Sequence, residues 1–319
     1  MSSEISKKGA SKQTLTILCP VFNEEEVVPL FWGRMSPVID TLSVQFHVNL
    51  VFLDNASTDG TYDEIMRLRD QNPDIYVLRM SNNVGYQKSL QSGLNNVESD
   101  VYTFIDVDCE DPPEMLLDFA REYNAGYNIV YGIRKNRPES EIIKFCRRLF
   151  YRIVKAMADE DSILLMAEFS MFDREVRNAI IDETNSFPFI RSNIARVGFR
   201  RKGLNYTRSH RIAGQTRYNL FGMTVFAVAG ILSTTTLPLR MPIYLFPFWI
   251  TLLFILGAAG VVTENPWWYL ATFMVFSMYI GLSVTFISLY LARSYKNTLN
   301  RPNAVIMRKI SQLPQAKVE

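Results

Sequence analysis

Residues 14–217 read as an α/β domain with a mostly parallel sheet, and the later residues as two membrane-spanning helices. Three observations predict this. Short apolar runs alternate with helical stretches, the pattern of strands joined by crossover helices. Three of the runs end in polar clusters, Asn23/Glu24, Asp54/Asn55 and Asp106/Asp108. Parallel strands bring such ends to one edge, where open α/β sheets bind ligands. Finally, residues 243–263 and 267–292 carry no charge, and each run exceeds the roughly 20 residues a helix needs to cross a bilayer.

The elements follow in chain order. Residues 1–13 are polar, with Lys7, Lys8 and Lys12, and are expected to be disordered. They lack the apolar core of a signal peptide. Residues 15–19 form a buried strand, followed by Pro20-Val21-Phe22-Asn23-Glu24-Glu25-Glu26. Asn23 is expected to cap the next helix, with Glu26 completing a capping box. Residues 48–53 are the second strand, ending in Asp54-Asn55-Ala56-Ser57-Thr58-Asp59-Gly60. These residue types favour turns, and a carboxylate there can also meet a base or ribose. Thr61 with Glu64 suggests a second capping box and a helix over 61–70. Residues 75–79 are a third strand. Asn82-Asn83-Val84-Gly85-Tyr86 turns into a helix running to about Asn96.

The apolar run 101–105 then ends in Asp106-Val107-Asp108-Cys109-Glu110-Asp111-Pro112-Pro113-Glu114. Side chains alternate along a strand, so Asp106 and Asp108 share a face. Paired hard carboxylates suit a divalent cation such as Mg²⁺ or Mn²⁺ that is shared with phosphates. The plainer reading is an acidic turn ahead of a helix begun by Pro112 and Pro113, since proline suits a first helical turn. A further strand is expected over 128–132, and a basic amphipathic helix over 142–157. Glu168 stands among apolar residues in Leu164-Leu165-Met166-Ala167-Glu168-Phe169. Such a carboxylate lies either at an exposed edge or in a cleft.

Eight basic residues fall between Arg191 and Arg217 with no acidic residue among them. Arginines bind phosphate through paired donors, and juxtamembrane basic clusters attract anionic lipid. Arg208, Arg211 and Arg217 lie in a stretch that reads as a phosphate-binding loop. Residues 221–239 read as an interfacial helix, interrupted by Pro238 and Arg240. The tail beyond the apolar runs carries Arg293, Lys296, Arg301, Arg308, Lys309 and Lys317. The positive-inside rule makes that tail cytoplasmic, and two spans put the α/β domain and both termini on the same side. The divisions are thus an N-terminus (1–13), the α/β domain (14–217), an interfacial helix (218–240), a membrane hairpin (241–293) and a tail (294–319).

Composition narrows the function. The chain has 319 residues and a net charge of +2, which offers no basic excess for nucleic acid. Cys19, Cys109 and Cys146 are the cysteines, and His47 and His210 the histidines. That argues against a disulfide framework, a zinc site or a Ser-His-Asp triad.

The ordered motifs over about 14–305 resemble the membrane-bound polyprenyl-phosphate glycosyltransferases of family 2. The family's Pro-Val-Tyr-Asn-Glu appears as Pro20 to Glu24, with Phe22 for tyrosine. Its Asp-Asp-Gly-Ser-x-Asp-Gly appears as Asp54 to Gly60, and its Asn-x-Gly as Asn83 to Gly85. Its Asp-x-Asp-x-Gln-Asp-Pro-Pro-Glu appears as Asp106 to Glu114, and its arginine loop as Arg208 to Tyr218. Asn300-Arg301-Pro302 also matches. Asn55 replaces an aspartate, Glu110 a glutamine, and Lys88 a residue that is commonly small. The family's Asp-Phe-Arg-Leu is here Glu168-Phe169-Ser170-Met171.

The resemblance implies a GT-A fold and inverting transfer from a nucleotide-sugar, such as a UDP-hexose, to a polyprenyl phosphate such as undecaprenyl phosphate. It implies an integral protein of a bacterial inner membrane and leaves room for a homo-oligomer. Pro20, Phe22, Asn23, Glu24, Asp54, Asn55 and Asp106 would bind the nucleotide. Asp106, Asp108 and Glu110 would hold Mg²⁺ or Mn²⁺. Glu168 aligns with the family's general base, and Asp108 and Glu168 would be catalytic. Arg208, Arg211 and Arg217 would take phosphate. A processive synthase would need more spans and a Gln-x-x-Arg-Trp motif, which the chain lacks. A silent membrane scaffold is the remaining alternative, supported by Asn55 and Ser170 and opposed by Asp106, Asp108 and the arginine loop.

Overall fold

The computed structural model describes residues 12–135, 166–183, 185–213, 232 and 235–314. The expected N-terminal disorder, the 142–157 helix, Arg217 and most of the expected interfacial helix lie outside the described residues.

Seven strands form one sheet in the order β3-β2-β1-β4-β6-β5-β7. They are β1 (Thr14–Val21), β2 (His47–Asp54), β3 (Ile75–Arg79), β4 (Val101–Phe104), β5 (Ile129–Lys135), β6 (Met166–Asp173) and β7 (Arg201–Thr207). All neighbours run parallel except at β6, which is antiparallel to both β4 and β5. The topology and the acidic loop after β4 agree with the GT-A architecture implied by the motifs. β6 and β7 are not anticipated as strands. β6 is buried on both faces, so it shows no polar alternation.

Helices cover both faces. α1 (Val27–Leu42), α2 (Thr61–Gln71) and α4 (Met115–Asn124) lie on one, where Phe31, Met35, Ile65 and Phe119 meet Ile17 and Phe52 of the sheet. On the other lie α3 (Tyr86–Asn96), α5 (Arg174–Ile181) and α6 (Ile190–Arg196), where Leu90, Leu94, Val176 and Ile194 meet Leu18, Val51 and Phe172. Alternate residues of β1 and β2 thus feed opposite layers, as strand geometry requires.

Two capping expectations are corrected. α1 begins at Val27, with Glu26 at its N-cap making no side-chain cap. Asn23 instead takes φ 53°, and its Oδ1 accepts from the Thr58 amide at 2.7 Å. Thr61 is already helical. Its Oγ1 accepts from the Glu24 amide at 2.8 Å, and Asp59 Oδ1 takes the Thr61 amide at 3.1 Å. In both cases the polar side chains tie one loop to the next rather than ending their own helix.

α7 (Leu237–Thr263) and α8 (Pro266–Thr298) form an antiparallel hairpin, and both are long and apolar enough to cross a membrane. α7 begins ahead of the uncharged run and takes in Pro238 and Arg240, because proline is tolerated in a first helical turn. Glu264 at φ 50° closes α7. Asn265 caps α8 by accepting from the Trp267 amide at 3.1 Å. The end of α8 grips the domain: Arg293 and Lys296 stack on Phe187, and Asn297 Oδ1 accepts from the Ser186 amide at 3.0 Å.

Candidate active site

The carboxyl ends of β1, β2 and β4 open into one cleft of about 580 Å³. Pro20, Phe22 and Glu24 come from the β1 end, Asn55 from β2, and Asp106, Asp108 and Glu110 from β4. Glu168 on β6 and Arg208 and Arg211 after β7 close the opposite side. Ten of the predicted site residues therefore share one cavity. Asn23 and Asp54 do not line it. Asn23 binds Thr58. Asp54 is fully buried; its Oδ1 accepts from the Ser57 amide at 2.9 Å, and its Oδ2 lies 3.0 Å from Arg79.

Asn55 is held by both ends of its amide. Its Nδ2 donates to Asn83 Oδ1, and its Oδ1 accepts from the Val84 amide, both at 2.9 Å. Asn83 Oδ1 also accepts from the Gly85 amide at 3.0 Å. Gly85 sits at φ 86°, ψ 162°, a conformation almost restricted to glycine. That turn aims Tyr86, whose hydroxyl donates to Asp106 Oδ1 at 2.8 Å.

Burial, and then the charges of Asp111 and Asp108, push the Asp106 carboxyl up to about 7, against the pull of the Tyr86 hydrogen bond. Asp108 Oδ1 accepts from the Glu110 amide at 3.0 Å, and Cys109 between them takes φ 54°. The arginine loop lies over these acids. Arg208 reaches Glu110 at 2.5 Å. Arg211 reaches Glu24 at 2.5 Å and stands 3.6 Å from Asp108. Backbone bonds from Ser209 to the Glu110 carbonyl (2.8 Å) and from Ile212 to the Asp108 carbonyl (3.0 Å) fix the overlay.

Among the described residues, no three His, Cys, Asp or Glu side chains converge as a ready metal shell. Of the three acids that follow β4, Glu110 pairs with Arg208, and Asp106 and Asp108 line the cleft beside it. Their donor chemistry fits a hard divalent cation. Beside burial, which raises Asp106 most, the neighbouring charges of Asp111 and Asp108 also raise it, and that local negative charge is what such a cation would relieve.

Several residues of the site escaped the sequence reading. Gln87 accepts from the Ile190 amide at 2.9 Å and donates to Glu168 at 3.3 Å, so it orients that carboxylate. Arg134 also lines the cleft, as does Arg191, the first residue of the basic run read from the sequence. Arg134 donates to Asp111 Oδ2 at 3.0 Å and to the Tyr206 hydroxyl at 3.0 Å. Tyr206 in turn donates to Asp111 Oδ1 at 2.5 Å. This triad locks the acidic loop to β5 and β7. Burial and Asp111 together push the Tyr206 hydroxyl well above the ordinary phenol range. A charge at the end of an apolar strand, as in Gly132-Ile133-Arg134, is the signal that could have found it.

A family model described as Glycosyl transferase family 2 matches residues 16–199. The uncharacterized glycosyltransferase YkoT of Bacillus subtilis is 32% identical over 72% of this chain and 70% of its own. The prophage bactoprenol glucosyl transferase homolog of Escherichia coli is 26% identical over 92% of this chain and 98% of its own. Among solved structures, the mannosyltransferase PcManGT of Pyrobaculum calidifontis, in complex with GDP-Man and Mn²⁺, aligns with a TM-score of 0.42. It is 17% identical over 94% of this chain and 91% of its own.

Proposed function

This chain belongs to glycosyl transferase family 2, and from that premise we propose that it moves a sugar from a nucleotide-sugar to a polyprenyl phosphate at a membrane surface. The observation that carries the reading is the meeting of three strand-end clusters with Arg208 and Arg211 in one cleft, on a chain that continues into two membrane-length helices. The names of relatives that span nearly the whole chain, such as bactoprenol glucosyl transferase of Shigella phage SfX, support the lipid acceptor. A UDP-hexose is the favoured donor, and the catalytic domain faces the cytoplasm by the positive-inside rule.

In this reading the acceptor phosphate oxygen attacks the anomeric carbon, the bond to the nucleotide diphosphate breaks on the opposite face, and the configuration inverts. A divalent cation on Asp106 and Asp108 would supply charge neutralisation to the departing diphosphate. Arg208 and Arg211, which pair with Glu110 and Glu24 here, would exchange those carboxylates for phosphate oxygens, which arginine also binds through paired donors. Asn55, Phe22 and Pro20 line the cleft beside the β1 and β2 ends, where the base and ribose dock. Glu168 orients the acceptor rather than deprotonating it, because a phosphate monoester with a second pKa of about 6 is already mostly dianionic near neutral pH.

The test is transfer from a panel of radiolabelled UDP- and GDP-sugars to undecaprenyl and dolichyl phosphate, with Mg²⁺ or Mn²⁺ and with EDTA. A lipid-linked product that EDTA abolishes is expected. No product from any donor, with folded protein, would overturn the reading in favour of a silent scaffold.

A further inference from the structure

We infer that the C-terminal segment 304–313, beyond the membrane hairpin, is a working part of the donor side of the cleft: docked on β3, it holds the turn that walls the nucleotide end. Its functional meaning rests on the donor reading above; its geometry does not.

β3 is the terminal strand of the sheet, and an edge strand presents unpaired backbone groups. The returning chain takes them up. The Gln312 amide donates to the Val77 carbonyl at 2.7 Å and the Val77 amide returns the bond at 2.9 Å. The Met307 amide donates to the Arg79 carbonyl at 2.9 Å, and the Ser81 amide to the Val305 carbonyl at 2.9 Å. Isolated antiparallel bridges pair Val77 with Gln312 and Met80 with Ile306. Ala304, Ile306 and Leu313 pack on the core beneath α3. The tail covers this edge through two isolated bridges separated by a turn over 308–310 rather than as a continuous strand, with backbone bonds giving the grip.

The grip reaches the cleft through Arg79. The tail fixes its backbone on both sides, since the Arg79 amide also donates to Ser311 Oγ at 3.0 Å. The Arg79 guanidinium stands 3.0 Å from buried Asp54, donates to the Ser57 carbonyl at 2.9 Å and lies 4.7 Å over the Tyr62 ring. The Tyr62 hydroxyl in turn donates to the Ile310 carbonyl at 2.8 Å. Asp54 and Ser57 bracket Asn55, which faces the cleft. Ser57 Oγ also accepts from the Asn23 amide at 3.0 Å, joining the turn to the β1 end. A buried carboxylate depends on its partner cation, so freeing the tail loosens Arg79, then Asp54, then the wall that carries Asn55.

The experiment ends the full chain after Asn303 and compares it with the parent in the same membrane mimetic. Amide hydrogen exchange over 54–61 is read without nucleotide, and donor and acceptor KM are read by transfer. Faster exchange and a donor KM raised about tenfold are expected, the scale of one lost net hydrogen bond to the turn. The acceptor KM should stay within about twofold, since membrane capture is untouched. A synthetic peptide of residues 304–314 should restore both readouts. Unchanged exchange overturns the inference, and so does a loss of all kinetic parameters in step that the peptide does not rescue. If the truncated chain fails to fold, the full-length variants Ser311→Ala and Gln312→Pro decide, and an unaltered donor KM in both overturns it. If the parent accepts no nucleotide-sugar, the functional reading fails, while the exchange result still decides whether the tail holds the turn.

Discussion

Replacing Asp111 by alanine tests whether the acidic loop is held from below. The Asp111 side chain is 3% exposed and that of Arg134 is 21% exposed. Asp111 takes one bond from Arg134 at 3.0 Å and one from Tyr206 at 2.5 Å. Removing one partner of a buried ion pair costs about 3–5 kcal/mol, because the other charge is left uncompensated. Partial exposure of Arg134 puts the effect near the lower end, about 3 kcal/mol. For a domain of this size that is a fall in Tm of about 6–12 °C. Asp111→Asn should fall by roughly half as much, since it keeps an acceptor for Tyr206. The double variant Asp111→Ala with Arg134→Met should recover part of the loss, because it removes the stranded charge. Thermal unfolding followed by intrinsic fluorescence, on the protein in nanodiscs, measures all three. A single variant within about 1 °C of the parent, or a double variant less stable than the sum of its parts, would refute the argument.

Two further predictions concern catalysis. Glu168→Gln should keep substantial transfer activity while Asp108→Asn loses nearly all of it, as product formation under saturating donor and acceptor would show; equal, complete losses would count against an orienting role for Glu168. Gly85→Ala, at φ 86°, should cost about 1–3 kcal/mol of backbone strain and move the Tyr86 hydroxyl off Asp106, lowering kcat more than Tyr86→Phe does; a steady-state comparison of the two variants checks it.

What the sequence made legible follows from period and position. The apolar runs of β1 to β5 and the polar residues at their ends could be read because a strand's burial and its exit into a turn are local properties. Their meeting in one cleft followed from parallel pairing alone. Asn23 and Thr61 were misread because a capping box looks the same as a loop-to-loop bond until the partner loop is known; here Thr58 and Glu24 supply those partners. β6 escaped because its burial on both faces leaves no alternation. Asp111 stands inside the acidic motif, but its partners Arg134 and Tyr206 are distant along the chain and reach it only through the order of strands, so the motif does not announce the triad. The tail's docking was equally hidden, since an edge strand and the segment that covers it are not matched by any local pattern.

The grip of Arg293 and Lys296 on Phe187 has a mechanical consequence. α8 has 33 residues, a length of about 50 Å, whereas the hydrocarbon layer takes up only about 30 Å. In the proposed topology the last turns of α8 would stand clear of the lipid as a stalk, with the catalytic domain fixed to its end by Phe187 and by the returning chain. A stalk fixed in this way sets both altitude and heading. Cutting four residues from it would lower the cleft by about 6 Å and swing its mouth by roughly 40° around the helix axis. For the proposed lipid acceptor, the reach of its headgroup to the sugar would thus be dimensioned by one helix.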